Sequence, residues 1–174
     1  MEPIMKVFNE VQRQTQKWIY FLLLIILLLF LFGIVQQLIL GKPFGNHPVK
    51  DWALPVFGLI PVGLLIFVRL NILQTEISEK GINYQYKPYH GNERTISWEE
   101  IDKCYVRVYS PIKEFGGWGL RVSLKDGGRA LNVAGSTGIQ LELKNGDRLL
   151  LGTQKPEEAK RVLDNLNLAS DGTR

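Results

Sequence analysis

The sequence predicts a membrane α-helical hairpin of two transmembrane helices, followed by a mainly-β domain of seven or eight antiparallel strands with a C-terminal capping helix. Three observations carry that prediction. Two long apolar runs without a charge stand before residue 74. After them, short alternating runs are separated by glycine, asparagine and aspartate turn signals. The last segment spaces its apolar residues for one face of a helix. A mean hydropathy of −0.01 over the 174 residues hides this division.

The first run, Trp18–Leu40, has 23 residues. At ~1.5 Å of rise per residue it makes roughly 35 Å of helix, enough to cross a ~30 Å hydrocarbon layer with some tilt. A secretory signal peptide is the competing reading, with Lys6, Arg13 and Lys17 as its basic flank. Such a peptide has a shorter apolar core and a small-residue cleavage site, whereas Gly41, Lys42, Pro43 and Phe44 follow here. A retained span is expected. The second run, Trp52–Val68, has 17 residues, and Arg69 can extend its head group to the interface, so the span is drawn at 52–70. Pro55, Gly58, Pro61 and Gly63 would cripple a soluble helix and predict a loosened one packed on its partner. No ionisable residue lies at mid-depth, which argues for an anchor and against a pore.

The connector Gly41–Asp51 is eleven residues, so the spans form an antiparallel hairpin with both chain ends on one side. Lys42 and Lys50 lie in the connector; Lys6, Arg13, Lys17, Arg69, Lys80 and Lys87 flank the spans. Six basic residues against two predict cytoplasmic termini. Before the first span, Ile4, Val7, Phe8 and Val11 fall at i, i+3, i+4 and i+7, which predicts an N-terminal helix within residues 1–17. It would lie on the membrane surface, run into the first span, or pack against the cytoplasmic domain. The organisation is then residues 1–17, a hairpin at 18–72 and a cytoplasmic domain at 73–174.

In that domain, Leu73–Ser78 and Ile82–Tyr86 flank a turn at Glu79-Lys80-Gly81. Arg94–Trp98 is a short strand, and Glu99-Glu100 a helical turn. Lys103–Ser110 alternates, with Cys104, Val106 and Val108 on one face and Tyr105, Arg107 and Tyr109 on the other. Leu120–Leu124, a turn at Asp126-Gly127-Gly128 and Arg129–Val133 follow. Ile139–Leu143 and Arg148–Gly152 form a hairpin around Asn145-Gly146-Asp147. Pro156 opens the last helix, with Glu157 and Glu158 at the positive end of its dipole and Ala159, Val162, Leu163, Leu166 and Leu168 as its apolar stripe.

An open barrel-like sheet has an uncovered end that one amphipathic helix can plug. This strand order, with the stretches TEISEKGINYQY, ISWEEI and LELKNGDRLLLGTQKPEEAKRVL, resembles the pleckstrin-homology superfold, in particular bacterial PH-like domains attached to membrane hairpins. The resemblance covers about Leu73–Leu168 and implies a fold, with no reaction attached. Lipid-binding members use a basic loop between their first two strands. Here that loop is the charge-balanced Glu79-Lys80-Gly81, so inositide recognition is not carried over.

The most unusual stretch is Ser110–Arg121, SPIKEFGGWGLR. One reading is a binding loop in which Gly116, Gly117 and Gly119 shape the backbone, Phe115 and Trp118 anchor a partner, and Lys113 or Arg121 meets an anion. The other is a glycine-bulged bend that tucks Trp118 into the barrel. Gly135-Ser136-Thr137-Gly138 reads as an anion cradle or a plain hairpin loop. Tyr84, Tyr86, Tyr89 and His90, with Lys87 and Arg94, form an aromatic-basic patch, read as a face for the bilayer or a partner.

Residues 74–174 carry fifteen basic and fourteen acidic residues, a balance of +1 that argues against nucleic acid. The lone Cys104 excludes an internal disulfide framework, and His47 and His90 leave few parts for metal or triad chemistry. No hydrolase, kinase or metalloenzyme spacing is present, so a binding role without enzymatic activity is expected, with no catalytic residues, no metal and no cofactor. The expected partners are the lipid bilayer and a membrane protein or a second copy of the chain. Sensing of a lipid or small ligand through the Trp118 loop is the alternative.

Overall fold

The computed structural model describes residues 6–123 and 127–171, with side chains over 8–123 and 127–166. It divides into two compact units, Thr15–Leu70 and a second built from the chain on either side of it. The expected turn at Asp126 and the apolar side chains of Ile4, Val7, Leu124 and Leu168 lie outside the described residues and side chains.

The first unit holds helix α1, Lys17–Ile34, continued by a π-helical turn at Val35–Ile39, and helix α2, Ala53–Leu70. Both segments, Lys17–Ile39 and Ala53–Leu70, are long and apolar enough to cross a membrane. Only 6% and 22% of their apolar windows are buried, whereas the core helix of a soluble protein hides most of its surface. Pro55 sits in the first turn of α2, where its missing N–H breaks no helical bond; Pro61 lies inside the helix. The helices pack closely at Gly58, where a Cβ would stand 3.5 Å from Cβ of Phe30, an ordinary van der Waals contact. In the connector, the Gln37 amide donates to the Val49 carbonyl at 2.7 Å and to Asp51 Oδ1 at 2.8 Å. That accounts for a glutamine at the end of an otherwise apolar segment. Near the other end of the hairpin, the Arg69 guanidinium lies 5.9 Å from the Tyr20 ring centroid.

The second unit has two sheets. The first has the order β1-β2-β3-β4, formed by β1 (Lys6–Arg13), β2 (Ile72–Ser78), β3 (Gly81–Lys87) and β4 (Arg94–Ser97), all antiparallel. A 3₁₀ turn at Trp98–Glu100 leads to the second sheet, in which Glu100 reaches back to Ser97 as a capping box. Its strands are β5 (Ile101–Val108), β6 (Gly119–Val122), β7 (Arg129–Asn132), β8 (Thr137–Leu143) and β9 (Arg148–Gly152), in the order β5-β8-β9-β7-β6. A short helix α3, Pro111–Phe115, links β5 to β6, and helix α4, Pro156–Asp171, ends the chain's described part.

Three expectations are corrected. Lys6–Arg13 is a strand, where the apolar spacing predicts a helix. Its side chains alternate, Phe8, Glu10 and Gln12 buried and Asn9, Val11 and Arg13 exposed, so the face that decides the structure is mostly polar and invisible to an apolar count. The described residues hold nine strands, one more than the upper expectation, because β1 joins the sheet. The arrangement is also not wholly antiparallel: β7 pairs with β9 in parallel, Leu131 opposite Leu151. β8 and β9 form a hairpin that occupies the place beside β5, which leaves the β6–β7 hairpin to the far edge. The two sheets do not close into a barrel.

One core joins both sheets and α4, with Phe8, Leu73, Ile77 and Ile82 from the first sheet, Ile139, Leu141 and Leu151 from the second, and Ala159, Val162 and Leu163 from the helix. Gly81, at φ +146°, starts β3 where a Cβ would collide with the Ile96 carbonyl oxygen and lie 2.9 Å from Cα of Ser97. β1 is fastened at its polar face. The Glu10 carboxylate accepts from the Thr153 hydroxyl and from the Gln154 N–H, each at 2.7 Å, and the Gln12 amide donates to the Gly152 carbonyl. Arg13 of β1 is the register partner of Ile72 of β2, so the whole helical hairpin is an insertion between two paired strands.

Candidate functional site

The segment after β5 is ordered by helix-end chemistry. Ser110-Pro111 starts α3, with proline where its missing N–H is harmless and the Glu114 carboxylate accepting from the Ser110 N–H at 2.7 Å. Gly116 ends it in the left-handed region at φ +71°. The Gly116 N–H reaches the Ile112 carbonyl at 3.0 Å, and the Gly117 N–H the Pro111 carbonyl at 2.9 Å. The backbone is then tied at each step. Trp118 Nε1 donates to the Gly135 carbonyl at 2.9 Å, Arg121 Nε to the Trp118 carbonyl at 3.0 Å, and the Gly119 N–H to Asn132 Oδ1 at 2.8 Å.

Asn132 is fully buried and is the hub of this loop. Its Nδ2 donates to the Tyr109 hydroxyl at 2.8 Å, and the Tyr86 hydroxyl lies 3.3 Å from its carbonyl and 3.1 Å from Asn71 Oδ1. Tyr109, Phe115, Ala130 and Leu150 form a second small core beneath α3, with the two rings edge to face at 5.9 Å. Burial pushes the Tyr109 hydroxyl up to about 12, against the opposing effects of its Asn132 hydrogen bond and Arg107.

Beside this small core is a cleft of about 70 Å³ whose lining includes Arg107, Arg129, Arg148, Gln140, Glu114 and Phe115. Arg107 is held from two sides. Its Nε donates to Gln140 Oε1 at 3.0 Å, and its Nη1 lies 2.9 Å from Glu114 Oε2. Gln140 is itself buried, so this guanidinium is set in place before any ligand arrives.

Of the residues that the sequence marks for binding, Lys113, Gly116 and Arg121 are exposed, and Gly117, Trp118 and Gly119 are half-buried. Phe115 is a correction. It is buried under α3 and is no surface anchor, because the helix turns it toward Tyr109. The aromatic-basic patch is a second correction: Tyr84, Tyr86 and His90 are buried, and of the four only Tyr89 is exposed. The ring of His90 packs edge-on to Tyr84. Its pKa is held below the usual value by burial first, then by Arg94 and Arg129. The Gly135–Gly138 loop meets its neighbours through the carbonyls of Gly135, Ser136 and Thr137, as a hairpin loop does.

Sequence reasoning passes over α3, although Ser-Pro at its start and Gly-Gly at its end are a helix signature. It also passes over Arg107, Arg129, Arg148 and Gln140 as a group. No local pattern reveals them, since they lie on four different strands that only the sheet order brings together. Among the described residues no three His, Cys, Asp or Glu side chains gather to hold a metal. Burial pushes the Cys104 thiol up to about 12, which keeps it protonated and unreactive at neutral pH. No family model, curated protein or solved structure matches the chain.

Proposed function

We propose that the chain is a membrane-anchored, PH-like binding module that engages another membrane protein, or a second copy of itself, at the inner leaflet. The observation that carries this reading is the pairing of β1 with β2 around the helical hairpin. Residues on both sides of the hairpin belong to one folded unit, so both must occupy one compartment and the chain must cross the bilayer an even number of times. The same pairing opposes a cleaved signal peptide, since cleavage after α1 would strip a buried strand from the sheet. The six-to-two distribution of basic residues favours the cytoplasm as that compartment.

The PH-like description is supported by two sheets and a terminal helix around one core. The parallel β7–β9 pair departs from a simple antiparallel meander. The interaction surface is the braced loop at Trp118 with its exposed neighbours Lys113 and Arg121, and the exposed apolar side chains Ile112, Leu120 and Val122. Its hydrogen bonds fix the loop in advance, which lowers the ordering cost of docking.

Two measurements test this. In intact cells, with Cys104→Ser as background, a membrane-impermeant maleimide should label Asn46→Cys in the connector and spare Lys144→Cys in the β8–β9 turn. The reverse pattern overturns the orientation. Purification in mild detergent should recover a stable partner or a homo-oligomer, lost in a folded Trp118→Ala/Arg121→Ala variant. Recovery of monomer alone overturns the interaction. Ligand sensing is the second reading, favoured by the arginine-lined cleft beside α3.

A further inference from the structure

We infer that the cleft between α3 and the second sheet is a binding site for a phosphate group. This goes beyond the interaction reading and does not depend on what docks at Trp118. Three arginines reach the cleft from three strands, Arg107 from β5, Arg129 from β7 and Arg148 from β9. Arginines arriving from separate strands suit a tetrahedral anion, which offers oxygens in several directions, better than a planar carboxylate, which one guanidinium fork can satisfy.

One of the three guanidinium groups is fixed in advance. The buried Gln140 and the half-buried Glu114 hold the Arg107 guanidinium, at 3.0 and 2.9 Å. Glu114 is the carboxylate in the cleft lining, and both its oxygens are engaged, one by Arg107 and the other by the Ser110 N–H at 2.7 Å. Arg129 has no carboxylate partner among the described residues, and its positive field extends to His90. Size narrows the ligand. Pockets for drug-sized molecules run to roughly 300–1,000 Å³, and about 70 Å³ admits one small group. A nucleotide or an acyl chain does not fit; a free phosphate or the terminal phosphate of a lipid headgroup does.

The test uses the full chain in detergent micelles, titrated with inorganic phosphate against sodium chloride at equal ionic strength. Phosphate should raise the thermal midpoint of the wild type. Arg129→Gln, and more so Arg129→Gln/Arg148→Gln, should weaken the phosphate response roughly tenfold or more, the loss expected for charged hydrogen bonds. These side chains are exposed, so the midpoint without phosphate should stay near the wild-type value. If the double variant fails to fold, the single variant carries the comparison. Absence of a phosphate response in the wild type, or an equal response in the variants, overturns the site. Nanodiscs of phosphatidylcholine, with and without phosphatidic acid, identify the source. A phosphate response abolished by phosphatidic acid supports a lipid headgroup, and one that persists supports a soluble phosphate.

Discussion

The hydroxyl of Thr153 donates a 2.7 Å hydrogen bond to the carboxylate of Glu10, 143 positions earlier in the chain. Both side chains are buried. The bond ties the first strand to the segment that opens α4, and the Gln154 N–H reinforces it at the other carboxylate oxygen. The N-terminal strand is therefore fixed from two directions, by the β2 ladder at its edge and by this carboxylate at its face.

Removing that carboxylate should be costly. Glu10→Ala leaves the buried Thr153 hydroxyl without its acceptor, at about 1–3 kcal/mol, and also removes the acceptor of the Gln154 N–H, which water can reach in part. Glu10→Gln keeps one acceptor oxygen and should lose less. Urea unfolding of the full chain in detergent, followed by far-ultraviolet circular dichroism, gives the ordering. Equal stability of Glu10→Ala and wild type would show the latch to be idle.

Deleting residues 1–13 tests the strand as a whole. It removes the buried Phe8, Glu10 and Gln12 and bares the edge of β2. An exposed edge invites pairing with other chains. The truncated chain should aggregate on extraction and be digested by protease under conditions in which the full chain resists. A monodisperse, resistant truncation would mean that β1 is an ornament of the sheet.

Gly81→Ala should be among the most damaging single substitutions. The added Cβ meets backbone atoms of Ile96 and Ser97, which cannot rotate away, and φ is +146°. Gly146→Ala is the matched control. It is also at positive φ, +90°, but has nothing within 4 Å, so only the backbone strain remains, about 1–2 kcal/mol. A thermal melt of each should separate them clearly; similar midpoints would refute the steric account.

Asn132→Ala should loosen the Trp118 loop without unfolding the domain. It leaves the Gly119 N–H and the Tyr109 hydroxyl without their partner. The expected cost is about 2 kcal/mol, with faster amide hydrogen exchange concentrated over residues 116–121. Exchange unchanged there would remove Asn132 as the hub of the loop.

Alkaline pH should destabilise the β unit. Folding raises Cys104 from an ordinary value of 9.0 to about 12 and Tyr109 from 10.0 to about 12, both chiefly by burial. Tyr86 is raised as well, by burial first and then by Tyr89. The unfolded chain thus releases protons that the native chain keeps. Stability is fully present below pH 9 and falls between about pH 9 and 12, by on the order of a few kcal/mol. Denaturant midpoints at pH 8, 9.5 and 11 measure the slope, and Cys104→Val should flatten part of it. A flat profile in the wild type would contradict the burial of these groups.

Much of the architecture is legible in the residues themselves. Charge-free runs mark α1 and α2, Gly81 and Asn145-Gly146 mark their turns, and Pro156 with Glu157 and Glu158 marks the start of α4. These signals are local, because each element advertises its own end. β1 has no such signal. Its buried face is Phe8, Glu10 and Gln12, and the groups that satisfy the two polar residues lie at Gly152, Thr153 and Gln154. A strand stabilised by distant partners cannot be recognised from its own composition. The loop at Trp118 is half legible. Its glycines are conspicuous, but the turn of Phe115 into a private core depends on Tyr109 just after β5, Ala130 on β7 and Leu150 on β9. The arginine cleft is the extreme case, for its residues become neighbours only when β8 and β9 come to lie between β5 and β7.

The register pair Arg13–Ile72 also orders events during synthesis. The ribosome releases β1 first, yet its partner strand follows only after the entire helical hairpin. The sheet cannot close until both helices have been made. On the membrane-anchored reading proposed above, insertion of only one helix would leave β1 and β2 on opposite faces of the bilayer, with the polar side of β1 unsatisfied and the β2 edge open. On that reading, completion of the sheet would check the threading of the hairpin, since the β1–β2 ladder forms only when both strands share one compartment.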